Sequence, residues 1–511
     1  MATPRNRAWL FSLLEVVGMM AAVGSIIAVQ LWVTGTWSLL SRPFWLDEIY
    51  TYTLVADPDP GHAMRALAGG VETHPPTFYL LLRGFSALTG GPTERTLRLF
   101  NLVAVLAAFI CLHSWLRVRY SLEVTAATIL LVWSHYSLIN QVFNARCYAA
   151  WLAATACFAY LLWRAANGAG VWNWLLLALA AALASTLHYF GIISLALITA
   201  AELWRRRRQH LPLAAGMTAV ALGALATVAC APFLMSQRAA ISVPTWLPMP
   251  SWRTAYAFLK MVYHLHIVVP LALTALIASA VRATRLGWLA GRGLLTKGPV
   301  GQQALLGLLA MPLLLLAFSY ASQNVLIDRY CFPAIVGLVP LAAFFFSRLS
   351  RFWLVAAATV IIVITSFELE NLAWYWNKWA NGLDGLRVAI VRTTDHEDVL
   401  FESPAYLYSL CHYADDLQSR CHLLDFEQGR IGRVTLDRLW TRDLARCYAE
   451  FYPIPSLMKW ANVQERPHLF LVHQNFFGKP LPNSSDIPYP GFMAEQIDGE
   501  LFLLSAVRSA P

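Results

Sequence analysis

Two adjacent acids, Asp47 and Glu48, stand in an aromatic run, Phe44-Trp45-Leu46-Asp47-Glu48-Ile49-Tyr50, just beyond the first long apolar stretch of the chain. A carboxylate at such a boundary, where an unpaired charge is expensive, can act as a general base toward a hydroxyl. The plainer alternative is a solvated pair or a helix cap. Glu72 and His74 precede Pro75-Pro76, which restrict the backbone. Alone, His74 reads as a hydrogen-bonded interfacial residue. Together with Glu72, and with His264 further on, it has metal-ligand chemistry, although the spacing is not diagnostic. Arg146 and Tyr148, in Asn144-Ala145-Arg146-Cys147-Tyr148, are either interface anchors or a clamp for a phosphate at bilayer depth. His188-Tyr189, Lys260 and Asp328-Arg329-Tyr330 add further cations and rings. Cations suit a phosphate, aromatic rings suit sugars and lipid chains, and a carboxylate suits deprotonation of a hydroxyl. No glycine-rich phosphate loop accompanies them.

These residues need a scaffold, and the composition says which kind. The 511 residues are 58% hydrophobic and 13% charged, whereas globular chains carry about a quarter charged residues. Repeated apolar runs of about 20 residues indicate a polytopic membrane protein. The net charge of +9 is no sign of nucleic-acid binding, because the basic residues cluster in short links between apolar runs. Eleven spans are expected, near 11–34, 96–116, 122–140, 149–166, two within 171–204, 211–233, 256–281, 302–320, 331–347 and 352–368. Glu15, inside the first, is expected to be paired or snorkelling near the inner face. The stretch 75–88 is too short to cross and is expected to lie at the interface.

Under this count Arg5/Arg7, Arg117/Arg119, Arg164, Arg205–Arg208, Arg282/Arg285 and Arg348/Arg351 share one side. The positive-inside rule makes that side cytoplasmic. The 35–95 loop, Arg146, His188, Arg329 and everything after about 370 then face outward. Treating 75–88 as a span would put the four-arginine run outside. The chain divides into a membrane part, 1–370, and a soluble α/β part, 371–511, in which short apolar runs at 386–391, 398–402, 467–472 and 501–504 read as strands around a helix at 432–449. Cys411, Cys421 and Cys447 lie in this outer part, where a disulfide is open to them, Cys411–Cys421 being one candidate pair.

The ordered set of Asp-Glu, THPPTFYLLLRGFSALTGGPTERTLRLFNLV, NARCYAAWLAA, LHYF and DRYCFPAIVGLVP resembles the protein mannosyltransferase and aminoarabinose transferase group of GT-C glycosyltransferases over about residues 40–345. The resemblance implies a GT-C bundle in the bacterial inner membrane, a sugar donor on a polyprenyl phosphate, and an active site facing away from the cytoplasm. It implies Asp47 as catalytic base and Arg146/Tyr148 and Arg329/Tyr330 at the donor. The expected reaction is an inverting transfer to a hydroxyl of a glycan, lipid or protein, requiring no cofactor. An acidic residue often found after the Arg-x-Tyr link in that group is replaced here by Cys147, Ala149 and Ala150. The rival reading is a transporter or flippase, which calls for broken helices and charges near the midplane. A receptor-type protein with an outer sensing domain gives no reason for the acidic, HPP and Arg-Tyr set.

Overall fold

One helix, Arg351–Thr393, ties the molecule together. Its 43 residues extend about 65 Å at 1.5 Å per residue, roughly twice the hydrocarbon thickness. It therefore continues unbroken past residue 370, where the apolar sequence ends. The stretch 386–391, expected as a strand, is its last turns. A six-residue run of alternating polarity fits either period, and here the helix wins by continuity.

The computed structural model describes residues 4–166, 170–210, 214–241, 247, 249–286, 302–393, 397–401, 404–414, 417–425, 436–452, 457–459, 468–472, 492–498 and 501–506. Its helices are α1 (Pro4–Val33), α2 (Leu46–Ala56), α3 (Pro60–Ala68), α4 (Pro76–Leu88), α5 (Glu94–Leu116), α6 (Leu122–Trp133), α7 (Tyr136–Val142), α8 (Tyr148–Ala166), α9 (Val171–Thr186), α10 (Gly191–Arg208), α11 (Ala214–Ala240), α12 (Trp252–Val262), α13 (Leu265–Leu286), α14 (Gln302–Gly307), α15 (Met311–Ala321), α16 (Ala334–Phe346), α17 (Arg351–Thr393), α18 (Pro404–Tyr413) and α19 (Leu436–Phe451).

Among the described residues, four helices are long and apolar enough to cross a membrane, at Leu14–Val33, Glu94–Leu116, Val220–Ala240 and Arg351–Arg392. There are six if each of two bent pairs is one span. The bends are 70° between α6 and α7 and 61° between α12 and α13. The apolar runs pointed to eleven spans. The smaller number reflects helices that are short, bent, or end in charges, as α10 does with Arg205–Arg208. The 13-residue α4 is a separate helix too short to cross, with proline at its first turn, where the missing N–H costs nothing.

At the bundle centre α8 packs against both α5 and α9, and α9 against α11. A Cβ on Gly223 would come within 2.4 Å of the Ala178 carbonyl oxygen, so α9 and α11 approach through small residues. Two acids inside apolar runs have partners: Glu15 pairs with Arg117, and buried Glu202 receives Arg205 and Arg206.

The C-terminal part carries a six-stranded sheet of β1 (Val399–Phe401), β2 (Cys421–Asp425), β3 (Leu457–Lys459), β4 (His468–Val472), β5 (Phe492–Asp498) and β6 (Leu501–Ala506), in the order β3-β2-β1-β4-β6-β5. The first four pair in parallel, and β6 joins β4 and β5 antiparallel. Parallel strands joined by helices make the α/β layering expected from the alternating runs.

This domain grips the 35–95 loop. The Tyr413 hydroxyl accepts from Phe44 N (2.8 Å) and donates to Glu94 (2.7 Å), and Ser409 donates to Phe44 O (2.9 Å). Tyr452 donates to Asp57 (2.7 Å), which His62 also contacts (2.6 Å). Burial pushes the Asp57 carboxyl up, but His62 and Tyr452 outweigh it and lower it. A lowered carboxyl stabilises the docked state above its unfolded value and loses that contribution as pH falls through its folded value. Hydrogen exchange of α19 is therefore expected to rise only below about pH 4. Loosening that is already complete at neutral pH would remove Asp57 from this role.

Candidate active site

Position 48 separates the two acids of the pair. Leu46 opens α2, Trp45 precedes it, and Glu48 at the third helical position accepts from Trp45 N (3.3 Å), closing the turn as a capping box does. The Glu48 side chain is fully buried. Its Oε1 accepts from Arg98 Nε and Ala145 N (both 2.8 Å), and its Oε2 from Arg98 Nη2 (2.8 Å) and Arg42 Nη1 (2.9 Å). Burial would raise this carboxyl, and the two guanidinium groups instead hold it below the usual range. Arg98 also donates to the Leu39, Leu40 and Arg42 carbonyls, and Arg42 to Phe143 O and Asn144 Oδ1. With every lone pair engaged, Glu48 has no oxygen left for a substrate proton. It is an anchor joining the 35–95 loop, α5 and the 143–146 link, where the sequence had suggested a second catalytic acid.

Asp47, one residue earlier, points elsewhere. Its side chain is 21% exposed, and Oδ2 lies 3.6 Å from Arg329 Nη1. Its backbone carbonyl accepts from Arg146 Nη1 (2.9 Å). Two loops distant in sequence thus converge on it. Arg146 is itself held by Glu72, and its Nη2 lies 3.3 Å from His74 Nδ1. Burial would raise the Glu72 carboxyl, but Arg146 and His74 outweigh it and bring it well down. Arg146 Nε and Arg329 Nε are buried without a hydrogen-bond partner. A buried N–H of a cation left unpaired is costly, and an anion's oxygens would satisfy both.

Rings surround these charges. Tyr148 lies under the Arg329 guanidinium (5.8 Å) and its hydroxyl is 3.5 Å from His74 Nε2. His188 stacks on Trp151 (4.6 Å, 7°) and meets His74 (5.1 Å) and Tyr330 (5.4 Å). Burial, then the cations His74, Arg146 and Arg329, keep His188 well below its ordinary value and hence neutral. Tyr189 turns away and donates to Gln237 (2.8 Å), whose amide caps the Leu67 and His74 carbonyls.

Two expected members are elsewhere. Lys260 is exposed on α12. His264 sits at the α12–α13 bend with φ +52°, stacked on His135 (5.0 Å) and 3.2 Å from Ser134. His135 lies at the α6–α7 bend and reaches the Val262 carbonyl (3.1 Å). The two helix breaks therefore seal each other. Among the described residues, those that do gather metal-ligand atoms are His74, Cys147 and His188, all buried, with atoms within 4.8 Å of one another. Nitrogen and sulfur ligands suit zinc, and Cys147 and His188 stand with His74 where Glu72 and His264 were expected.

Arg42, Arg98, Asn144 and the role of Glu72 as partner of Arg146 escaped the sequence reading. One signal was available: Arg98 lies near the start of an apolar helix, where a charge demands a partner.

No family model matches the chain, and no curated protein matches it. Among solved structures, the crystal structure of ArnT from Cupriavidus metallidurans bound to undecaprenyl phosphate is similar, with a TM-score of 0.54, 14% identity, and coverage of 96% of this chain and 98% of that one. Its apo form gives a TM-score of 0.57 at 13% identity with the same coverage. The chain thus shares the fold of that protein over nearly its whole length, and the likeness includes the C-terminal domain, for which the sequence suggested no relative.

Proposed function

We propose that the protein is a membrane glycosyltransferase that moves a sugar from a polyprenyl phosphate to an acceptor hydroxyl. The observation that carries the proposal is the convergence of Asp47 and Arg329 beside Arg146, a carboxylate and two cations with unsatisfied donors in one aromatic site. Sharing a fold with a protein crystallised with undecaprenyl phosphate supports the lipid phosphate as carrier. The basic-loop pattern supports a site facing away from the cytoplasm.

In the step proposed, Asp47 takes the proton of the acceptor hydroxyl as its oxygen attacks the sugar C1. The C1–O bond to phosphate breaks, its electron pair stays on the phosphate, and configuration at C1 inverts. Arg329 and Arg146 stabilise the charge that develops there, in a site where water competes poorly. Tyr148, Tyr330 and His188 supply ring faces for sugar and prenyl chain. His74 and Glu72 hold Arg146 in place.

Arg329→Ala is expected to raise the donor concentration needed for half-maximal transfer by about 10–100-fold, the size of a charged hydrogen bond. An unchanged donor requirement would remove Arg329 from the phosphate site. The step needs no metal, so transfer is expected to continue in EDTA at an undiminished rate. A collapse of activity that only added zinc restores would give the His74, Cys147 and His188 group a part in catalysis.

The bent helix pairs give the transporter reading a specific feature to stand on. The two readings separate in one experiment. Purified protein is incubated with isotope-labelled polyprenyl-phosphate sugars and an envelope extract, and the label is followed. Transfer to a new covalent acceptor with release of lipid phosphate is expected. Movement of intact donor across vesicles without bond cleavage would favour transport.

A further inference from the structure

Three cysteines lie in the C-terminal domain: Cys411 in α18, Cys421 at the start of β2 and Cys447 in α19. All three are buried. The helix α18 packs directly on β2, which begins at Cys421, and the Cys411 and Cys421 side chains, both free thiols in the structure, lie within hydrogen-bonding reach. Described residues between them bond back toward Cys411 and to one another. Gln418 Nε2 donates to Cys411 O (2.9 Å), Leu417 N to Ala414 O (3.0 Å) and Arg420 N to Leu417 O (3.1 Å). Cys421 is then fixed opposite Val399 in the parallel sheet. Cys447 lies elsewhere, its sulfur 3.9 Å from Ala240 O and close against Gly70. Placement therefore singles out one close pair among the three and sets Cys447 apart.

We propose that Cys411 and Cys421 form a disulfide that staples α18 to β2, and that Cys447 remains a thiol. The proposal rests on the reading that this domain lies outside the cytoplasm, where disulfides form and persist. Formation is an exchange with a thiol–disulfide oxidoreductase in its disulfide form. One cysteine attacks the carrier disulfide, the second resolves the mixed disulfide, and the carrier leaves as a dithiol holding both electrons and both protons. Since both sulfurs are buried in the finished domain, exchange precedes its closure, and soluble reductants then have no path to the bond. In the reduced domain, the Cys421 contact and burial hold the Cys411 thiol well up, so it does not ionise.

The staple has a position that matters. The same helix α18 presents Ser409 and Tyr413 to both sides of the Phe44 peptide, three residues before Asp47. The bridge therefore lies beneath the helix that fixes the Asp47 segment. A second close pair, Cys111 and Cys157 with sulfurs 3.1 Å apart, lies in α5 and α8. Hydrocarbon excludes both thiolate and oxidoreductase there, so this pair stays reduced and serves as an internal control.

The test is peptide mapping of the full chain purified from membranes, denatured in N-ethylmaleimide without reductant. The expected result is a linked peptide joining Cys411 and Cys421, with Cys447, Cys111 and Cys157 all labelled. After reduction of the denatured protein, Cys411 and Cys421 take label as well. Label on both Cys411 and Cys421 in the unreduced sample, or a link from either to Cys447, overturns the proposal. Glu450→Cys, an exposed position on α19, reports the side through labelling of intact cells with an impermeant maleimide. Free thiols with outside labelling refute the pairing alone. Free thiols without it refute the pairing together with the sidedness it rests on. Neither readout depends on sugar transfer, so failure of the transferase reading would show separately.

Discussion

Asp47→Asn is expected to lower the rate of sugar transfer by about 10²–10⁴-fold, the usual loss when a general base is removed, while the protein folds and binds donor as before. The substitution keeps the shape of the side chain and removes only its ability to accept a proton. Structure around it should survive because Arg146 binds the backbone carbonyl of residue 47, which the substitution leaves intact. Arg329, 3.6 Å from the lost carboxylate, gains freedom to meet phosphate. The measurements are the transfer rate at saturating donor and a thermal melt in the same detergent. Undiminished transfer by well-folded protein would remove Asp47 from the chemistry.

The neighbouring substitution should fail in another way. Glu48→Ala leaves Arg42 and Arg98 buried without their shared carboxylate. Breaking a buried ion pair by deleting one partner costs about 3–5 kcal/mol, against a total stability of about 5–15 kcal/mol for a typical domain. The expected result is loss of monodisperse protein, or a markedly lower melting temperature where some survives. Glu48→Gln, which keeps the shape but not the charge, should be impaired in the same sense. The two adjacent acids thus separate experimentally: one substitution yields a folded, inactive protein and the other an unstable one. Normal stability with selective loss of transfer in Glu48→Gln would instead make Glu48 a reacting group.

That separation marks the boundary of what the sequence could say. Apolar runs and Pro75-Pro76 report on local physics, so the membrane bundle, the separate helix α4 and the α/β layering of the C-terminal part were legible. The pairing of Asp47 with Arg329, 282 positions apart in the chain, follows from packing and leaves no local trace. For the same reason Glu48 looked like a twin of Asp47. On a helix, successive residues point about 100° apart, and only the position of Arg42 and Arg98 tells which acid faces the protein and which the site. Lys260 and His264 show the converse. Both had suitable chemistry near the right boundary, but the α12–α13 bend directs His264 toward His135 and leaves Lys260 exposed.

Whether Asp47 is the base of an inverting transfer is decided by a side-by-side assay of wild type and Asp47→Asn with a labelled sugar on undecaprenyl phosphate and an envelope extract as acceptor source. Both released lipid phosphate and the anomeric configuration of the product are scored. Wild type is expected to give equimolar lipid phosphate and inverted product, with both reduced together by about 10²-fold or more in the variant. Retained configuration, or equal lipid-phosphate release by the two proteins, would contradict that mechanism.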